Sequence, residues 1–457
     1  MNRSKMQERP APLLTGIGNE SVPTARARLD GLHLVILGVL IFVAIGLLAD
    51  LVIPLPLPDF MIIYYGARCL VQHHDPYQVS QFWSFYQAHG GYIPSDPLVI
   101  DKFRVLVAVC VNLPTTLVLA VPIAVLRWKA AAAICLVLIG GSFALSCSYL
   151  WRIAADWGPR ISGLLVFLVL INSGLLLYSG NAAGLVVSLC VIATCCFIQD
   201  RFAWAGVACM AASLLIKPHD AALVWGYFFL AGRTPRRRAV QSLVLAGAVA
   251  LPAMIWVSHV APHWLQEYRS NVVEVMSPGG VADPGPAVDR AHGSEMIISL
   301  QGALSLIRND PHFYNPVAYI LCGTLLVVWG AKTLRSSFSP ERAWLALAAI
   351  SVLLLLPVYH RRYDARLLLL TIPACVALWK RGGPIGRSAM VLTLAAIVIT
   401  GDIFWIVFFN LTHYSVGPAI QAMALEPLIL LVLGVFYLWA YMRSEAKTAA
   451  TEVELSP

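Results

Sequence analysis

The residues best suited to catalysis in this sequence are polar side chains that stand between long apolar runs. Asp59 follows the first of these runs, 32–53, and lies in the stretch LPDFMIIYYGARCLVQHHDPY at 57–77. Because that run is long enough to cross a bilayer as a helix, Asp59 is expected at the membrane surface. A carboxylate there can accept the proton of a hydroxyl group that attacks a substrate protruding from the lipid. We therefore predict that Asp59 is a catalytic general base, with a helix cap or a simple interfacial charge as the alternative.

Further side chains of the same stretch are spaced for substrate binding. Tyr64, Tyr65 and Arg68 are separated as on a short helix that lies along the membrane interface, with aromatic and cationic groups on adjoining faces. Asp75 begins Asp-Pro-Tyr, a sequence that predicts a turn. We expect these four residues to contact the substrate, and the alternative is a solvated loop with an aromatic belt.

Two more segments carry cations that suit a phosphate group. Lys217 stands between two apolar runs in SLLIKPHDAAL, and a lysine at that depth needs a polar cavity or an anion unless it only extends to the interface. The string YHRRYDAR at 359–366 is also bounded by apolar runs, and a planar guanidinium fits a phosphate in a bidentate manner. We predict phosphate binding by Lys217, Arg361, Arg362 and Arg366. We predict substrate contacts for His360, Tyr363 and Asp364, and the alternative for the whole string is an ordinary charged loop.

The composition is that of a membrane protein. The chain has 457 residues, of which 59% are hydrophobic and 12% charged, and its mean hydropathy of +0.75 excludes a soluble domain. The net charge of +8 could suit nucleic acid, but the basic residues cluster in short loops between apolar runs. That distribution is typical of membrane topology, so we predict no nucleic-acid partner.

The sequence predicts no metal site, no cofactor and no disulfide. The ten cysteines are scattered, nearly all inside apolar runs, without a C-x-x-C or a cysteine–histidine spacing. His73 and His74 have no third and fourth ligand nearby, and no stretch matches the nucleotide-binding pattern GxxxxGK[ST]. Asp402 and Glu426 lie in or near apolar runs without an identifiable partner, so they stay outside the predicted site.

The elements that must position these residues are membrane helices, and we expect an all-α polytopic bundle. About thirteen apolar stretches are visible, and the one at 103–126 is interrupted by Pro114 and Pro122. We interpret it as a re-entrant or juxtamembrane hairpin, which leaves about twelve spans with both termini cytoplasmic. The predicted parts are polar tails at 1–31 and 442–457 and a membrane-embedded domain at 32–441. Within that domain we expect the segments 54–129 and 259–315 at the outer face.

Several of these motifs resemble glycosyltransferase family 87, whose members are multispanning enzymes that use polyprenyl-phosphate sugars. The resemblance rests on an Asp after the first span, on the pattern YYxAxxL at 64–70 and on DPY at 75–77. The string at 359–366 resembles the late histidine-containing motif of the family. Three further matches are partial: Lys217 is followed directly by Pro218, the turn at 179–181 lacks a Gln, and Ile298 replaces an Asn.

The resemblance implies a fold, a reaction and a location. The fold is the C-type membrane glycosyltransferase bundle, with juxtamembrane helices over a cavity. The reaction is transfer of a hexose, mannose first, from a polyprenyl-phosphate donor to a lipid or glycan acceptor at the outer face of the plasma membrane. Asp59 matches the catalytic Asp of the family, and a single inverting displacement needs only one such carboxylate. A transporter or flippase of lipid-linked sugars, which should have inverted repeats and interrupted helices, and an inactive relative or scaffold are the alternatives.

Overall fold

The chain is all-helical, as the sequence predicts. The computed structural model describes residues 24–52, 57–285, 297–413 and 416–444. In those ranges the backbone forms twenty α-helices, a 3-10 helix at Asp364–Thr371 and an isolated antiparallel bridge between Ile297 and Arg361. Most of the two predicted tails, and residues 286–296 of the predicted outer segment 259–315, lie outside the described residues.

The helices are numbered in chain order. The first ten are α1 (Ala25–Val52), α2 (Pro58–Val71), α3 (Val79–Ala88), α4 (Pro97–Ala108), α5 (Pro114–Ala124), α6 (Trp128–Ala154), α7 (Pro159–Ile171), α8 (Gly174–Ser179), α9 (Ala182–Gln199) and α10 (Ala203–Ile216). The remaining ten are α11 (Pro218–Leu230), α12 (Arg233–Val260), α13 (Trp264–Met276), α14 (Leu300–Leu304), α15 (Pro311–Arg335), α16 (Pro340–Leu353), α17 (Ile372–Arg381), α18 (Gly383–Ile399), α19 (Asp402–Leu411) and α20 (Val416–Arg443).

Long apolar helices make this a multi-pass membrane protein. Among the described residues, α1, α6, α9, α12, α15 and α20 each contain a stretch long and apolar enough to cross a bilayer. Helices α18 and α19 together form one more candidate, bent by 62°. Their outward side chains are apolar, which suits contact with lipid acyl chains.

The structure contains fewer long helices than the twelve spans that the sequence predicts. The difference arises because several apolar runs are divided by polar or proline residues. The predicted run at 161–178 becomes α7 and α8, with Asn172 and Ser173 between them. The runs at 202–216 and 218–231 become α10 and α11, which have 14 and 13 residues. A run that appears continuous in hydropathy can thus end in two helices that are each shorter than about 20 residues.

The stretch 103–126 is divided in the way its prolines suggest. Helix α4 ends at Ala108, and α5 begins with Pro114 as its first residue. The 11 residues of α5 span about 17 Å, against about 30 Å for the hydrocarbon core of a bilayer. Helix α5 packs along α2, where the side chain of Leu117 contacts Gly66. The segment 54–129 therefore consists of four short helices, α2 to α5, beside the long ones.

Helix α1 packs closely against α7 because small residues face each other. A Cβ added at Gly31 would lie 2.2 Å from the carbonyl oxygen of Pro159, and one at Gly163 would lie 2.7 Å from the Cα of Gly31. Small residues at such an interface allow two helical backbones to approach closely, which is a common packing mode in membranes. This contact fixes the position of α1, the helix that leads into the Asp59 segment.

The 3-10 helix at Asp364–Thr371 lies in the centre of the bundle. Each of its eight residues is buried, including the charged Asp364 and Arg366. It is surrounded by α9, α16 and α17. The polar string 359–366 therefore enters the protein interior and does not form an external loop.

Candidate functional site

Asp59 lies in the first turn of α2, where the backbone and helix dipole favour a carboxylate. Pro58 is the first helical residue, and the preceding Leu57 adopts a left-handed conformation with φ 53° that turns the chain into the helix. Proline suits that first position because its fixed φ is helical and no N–H is lost from the ladder. The partial positive charge of a helix N-terminus stabilises an adjacent anion. Asp59 as a residue is partly exposed, whereas its carboxyl group lies deep enough among protein atoms for desolvation to act on it.

Asn181 connects Asp59 to the start of α9. The Asn181 Nδ2 donates a hydrogen bond of 2.8 Å to Oδ2 of Asp59. Its Oδ1 accepts a hydrogen bond of 2.8 Å from the backbone N–H of Ala183 and so caps α9. Because the oxygen faces an N–H group, the amide nitrogen must face the carboxylate. The cap therefore orients the donor that holds Asp59.

Gly180 is required for this arrangement. Its φ of 61° is in the left-handed region, and a Cβ added there would lie 2.9 Å from the Cβ of Phe60. Only glycine allows the turn before α9 to pass so close to the first turn of α2. The weak turn motif at 179–181 thus has a structural role beside Asp59.

Lys217 enters the site because the chain is broken between α10 and α11. Pro218 begins α11, and a residue before proline is driven out of the α conformation. Lys217 accordingly has φ −149° and ψ 80°. The carbonyl of Ile216, which the broken ladder leaves free, accepts a hydrogen bond of 2.8 Å from the hydroxyl of Thr116 in α5. The lysine ammonium forms an ion pair with Asp364 and lies 3.1 Å from Oδ2 of Asp220.

The string 359–366 brings Arg361 to the same place. The backbone N–H of Arg361 donates a hydrogen bond of 2.8 Å to Oδ2 of Asp364, which closes a tight turn. The guanidinium donates to the hydroxyl of Tyr359 and, over 3.0 Å, to the carbonyl of Val281. On the outer side of the turn, the N–H of Ile298 donates to the carbonyl of His360 over 3.0 Å. Segments that are far apart in sequence therefore converge around Asp59. We call Asp59, Asn181, Lys217, Arg361 and Asp364 the Asp59 cluster.

The electrostatics of Asp59 reflect this convergence. Burial raises the pKa of its carboxyl group above the ordinary aspartate value, and this effect is the largest. The positive charge of Arg361, the hydrogen bond from Asn181 and the charge of Lys217 all lower the pKa, whereas Asp364 raises it. The net direction is upward, which makes the carboxylate a better proton acceptor than an exposed aspartate.

Arg362 and Arg366, predicted to bind phosphate, point elsewhere. The Nε of Arg362 lies 3.1 Å from Oε1 of Glu426, and its guanidinium stacks 3.6 Å from the ring centre of Trp405. Arg366 donates to the carbonyl of Thr400 and lies 3.2 Å from Oδ1 of Asp402. Both arginines are buried in ion pairs, so the structure does not bring them to the Asp59 cluster.

These ion pairs supply the partners that the sequence could not identify for Asp402 and Glu426. Asp402 also accepts a hydrogen bond of 2.7 Å from the backbone N–H of Leu175 at the start of α8. Glu426 is fully buried in α20 opposite Arg362. The two carboxylates therefore connect the 3-10 helix region to α8, α19 and α20.

The predicted substrate-binding residues of α2 lie among other side chains. Tyr64 and Tyr65 are buried against Trp128, and Arg68 donates to the Tyr64 hydroxyl over 2.9 Å. Asp75 caps the predicted turn, with Oδ1 accepting from the N–H of Tyr77 over 2.8 Å. Along the helix axis Tyr64 lies about 8 Å and Arg68 about 14 Å from Asp59, so these residues form a layer more than one turn away from the carboxylate. Tyr363 lies with the cluster, since Lys217 stands 5.1 Å from its ring centre.

A group of metal-ligand side chains adjoins the cluster. Within the described residues, His219, Asp220 and His360 are the set whose ligand atoms all lie within 4.8 Å of one another. His219 is exposed, whereas Asp220 and His360 are buried. Of the three, only His360 is a predicted site residue, because His219 and Asp220 become its neighbours only after α11 and the 359–366 turn pack together.

Neither protein-family models nor curated proteins show a match to this chain. The resemblance to glycosyltransferase family 87 therefore rests on the motifs named above.

Two residues of the site could not be identified reliably from the sequence. Asn181 is marked in the sequence only by the partial turn motif at 179–181, and Asp220 only by its place in the segment SLLIKPHDAAL. In both positions the residue type is common in turns and helix starts, so the pattern alone could not separate a site residue from a cap.

Proposed function

We propose that the protein is a membrane glycosyltransferase. It transfers a hexose, mannose first, from a polyprenyl-phosphate donor to a hydroxyl group of a lipid or glycan acceptor. The acceptor oxygen attacks the anomeric carbon as the bond from that carbon to the phosphate oxygen breaks. The acceptor proton passes to the Asp59 carboxylate, and the leaving polyprenyl phosphate keeps the electron pair.

The observation that carries this proposal is the pairing of one carboxylate, that of Asp59, with cations from other segments. Asp59 is held by Asn181, and Arg361 and Lys217 are close enough to influence its ionisation. A base beside fixed positive charge suits a reaction in which a hydroxyl loses a proton while a phosphate gains charge. A second carboxylic acid is unnecessary, because a phosphate leaves without being protonated.

In this proposal Arg361 and Lys217 bind the donor phosphate, and Tyr363, Asp364 and His360 shape the pocket around it. Arg362 and Arg366 face Glu426 and Asp402, away from the Asp59 cluster, so they are not part of the proposed phosphate site. Their role is to fix the 359–366 turn from the opposite side.

The number of membrane crossings and the orientation of the chain are part of the same proposal. We assign the chain to a C-type transferase bundle of about twelve crossings, in which pairs of shorter helices such as α10 and α11 complete the count. Both termini are cytoplasmic, and the Asp59 cluster faces the exterior of the plasma membrane. The basic loops near Arg236 and Arg387 then lie on the cytoplasmic side, as the positive-inside bias requires.

A transporter of lipid-linked sugars is the second candidate, and one observation favours it. Helices α18 and α19 meet at a 62° bend, and broken helices are typical of substrate sites in transporters. The carboxylate at that bend, Asp402, is however paired with Arg366 and bonded to Leu175. The bend is thus accounted for by internal contacts.

The test is a transfer assay with purified full-length protein. The protein is supplied with radiolabelled polyprenyl-phosphate mannose and a membrane-lipid extract, and the products are separated by chromatography. The proposal predicts label in a new product and release of polyprenyl phosphate. Movement of intact donor across proteoliposomes, without a new glycosidic product, would instead identify the transporter.

A further inference from the structure

The ligand atoms of His219, Asp220 and His360 approach the spacing found around a tetrahedral metal ion. The Nε2 of His360 lies 3.3 Å from Oδ1 of Asp220, and the Nε2 of His219 lies 3.8 Å from the same oxygen. Zinc bonds of 2.0–2.2 Å at tetrahedral angles place two ligand atoms about 3.3 Å apart. One of the three pairs is already at this spacing, and the second, at 3.8 Å, is slightly longer. The third pair, between the two histidines, lies within 4.8 Å, so the exposed ring of His219 would have to move toward the other two ligands.

The Nε2 atom of His360 and the Oδ1 atom of Asp220 are placed to bind a cation. Its Nδ1 lies 3.1 Å from the carbonyl oxygen of Val358. A carbonyl only accepts, so Nδ1 donates to it, and a ring protonated at Nδ1 alone presents the Nε2 lone pair to Asp220. Both the Nε2 atom of His360 and the Oδ1 atom of Asp220 are buried without a hydrogen-bond partner among the described residues. A second proton on His360 would satisfy this pair alone, whereas a metal ion would also engage His219.

The two oxygens of Asp220 face different groups. Oδ2 lies 3.1 Å from the ammonium of Lys217, whereas Oδ1 faces both histidines. The carboxylate can therefore bind an ion through one oxygen and keep its ion pair through the other. The hydrogen bond from His360 to Val358 is the kind of outer contact that orients a metal-binding histidine.

The charge of the surrounding cluster also favours a cation. Two positive groups, Lys217 and Arg361, are gathered with the three carboxylates of Asp59, Asp220 and Asp364. Counted without the histidines, the cluster carries one more negative than positive charge, which favours the binding of a cation. A divalent ion would reverse that sign.

We propose that His219, Asp220 and His360 bind one divalent transition-metal ion, Zn²⁺ first. Two imidazoles and one carboxylate suit zinc, and three protein ligands leave a fourth position open. The exposed ring of His219 gives the ion a path of entry. The site stands independently of the transferase reaction; only the use of the open position by a donor phosphate rests on the proposed function.

The test measures metal binding without any sugar donor. Full-length protein, purified in detergent and freed of any affinity tag, is stripped with a chelator and titrated with Zn²⁺, and bound metal is counted by mass spectrometry. We expect one equivalent per chain. His219→Ala should weaken binding by at least about 10–100-fold, the loss that follows removal of even an outer partner. His312→Ala, at another exposed histidine, is the matched control and should bind as the wild type does.

Cobalt substitution identifies the ligands independently of any variant. Co²⁺ bound to two imidazoles and a carboxylate should give visible d–d bands without the intense near-ultraviolet band of a thiolate. Substoichiometric zinc in the wild type, unchanged affinity in His219→Ala, or a thiolate band that places the ion on a cysteine would each overturn the proposal. Because no donor is present, metal binding without transfer activity would leave the site intact and remove only its role toward phosphate.

Discussion

At the level of single residues, the ionisation of Asp59 depends on neighbours that come from other segments. Burial is the main cause of its raised pKa, and Arg361 is the strongest opposing influence. A general base acts in its deprotonated form, so activity should fall as the pH drops through this raised pKa. The acidic limb of the profile should therefore lie above the pH expected for an exposed aspartate.

Replacing Arg361 should move the acidic limb of the pH–activity profile to a still higher pH. In Arg361→Gln the largest influence that lowers the Asp59 pKa is lost, so the pKa rises and the acidic limb of kcat/KM shifts to higher pH. The profile is measured by transfer assays at a series of pH values. Arg387→Gln, at an exposed arginine, is the control and should leave the limb unchanged. An identical limb in Arg361→Gln would mean that Arg361 does not act on the base.

The arginines of the 359–366 string should separate into two classes. Arg361→Gln removes a cation from the proposed phosphate site, and a charge-assisted contact of about 1.5–3 kcal/mol is worth about tenfold or more in donor affinity. Arg366→Gln instead breaks the contact with Asp402, so the expected loss is in thermal stability. Donor affinity and melting temperature are measured for both variants. Equal loss of donor affinity in the two would contradict the separation.

At the level of elements, the buried pair between Arg362 and Glu426 joins the 359–366 turn to α20. Breaking a buried ion pair by removing one partner costs about 3–5 kcal/mol, and Glu426→Gln removes the carboxylate that the buried Arg362 guanidinium contacts. Glu426→Gln should therefore lower the melting temperature markedly. The double variant Arg362→Met with Glu426→Leu, which removes both charges, should lose less than the sum of the single changes.

The exposed ion pair between Arg28 and Asp156 provides the comparison with this buried pair. Asp156 pairs with Arg28 over 2.8 Å, but both side chains are largely exposed. Asp156→Asn should change stability by at most about 1 kcal/mol. A loss in Asp156→Asn as large as that in Glu426→Gln would show that burial does not set the cost of breaking these pairs.

The sequence allowed some of these elements to be predicted and not others. Apolar runs indicate helices, and Pro58, Pro114 and Pro218 mark helix starts, because hydropathy and proline act locally. It was not predictable that Arg361 faces the Asp59 cluster whereas Arg362 and Arg366 face Glu426 and Asp402. This arrangement depends on the turn that the Arg361 N–H closes onto Asp364, and on carboxylates in α19 and α20 far along the chain.

The residues of the candidate site, too, could be predicted only where a local pattern marks them. Asp59, Lys217 and the 359–366 string could be selected because charged residues between apolar runs are costly without a function. Asn181 and Asp220 look like ordinary helix-start residues in the sequence. Their position beside Asp59 and His360 depends on how α9 and α11 pack, which no local pattern encodes.

At the level of the whole molecule, the proposed topology places the Asp59 segment and the basic loops on opposite sides of the membrane. Single cysteines at exposed positions test this with a membrane-impermeant maleimide. Ser84→Cys should be labelled in intact cells, whereas Thr234→Cys and Ser388→Cys should be labelled only after permeabilisation. The native cysteines give little background, since nine are buried and Cys209 is partly buried. Labelling of Thr234→Cys in intact cells would overturn this orientation.

The transferase assignment depends on the chemistry of one carboxylate, and a single substitution tests it. Asn has nearly the shape of Asp and can still hydrogen-bond to Asn181, but it cannot accept a proton. Asp59→Asn should therefore fold normally and bind the donor as the wild type does, while the transfer rate falls by about 10²–10⁴-fold. Asp101→Asn, at an exposed aspartate on α4, is the control and should keep the wild-type rate. If Asp59→Asn retains more than about a tenth of the wild-type rate, well short of that loss, Asp59 is not the base and the proposed mechanism is wrong.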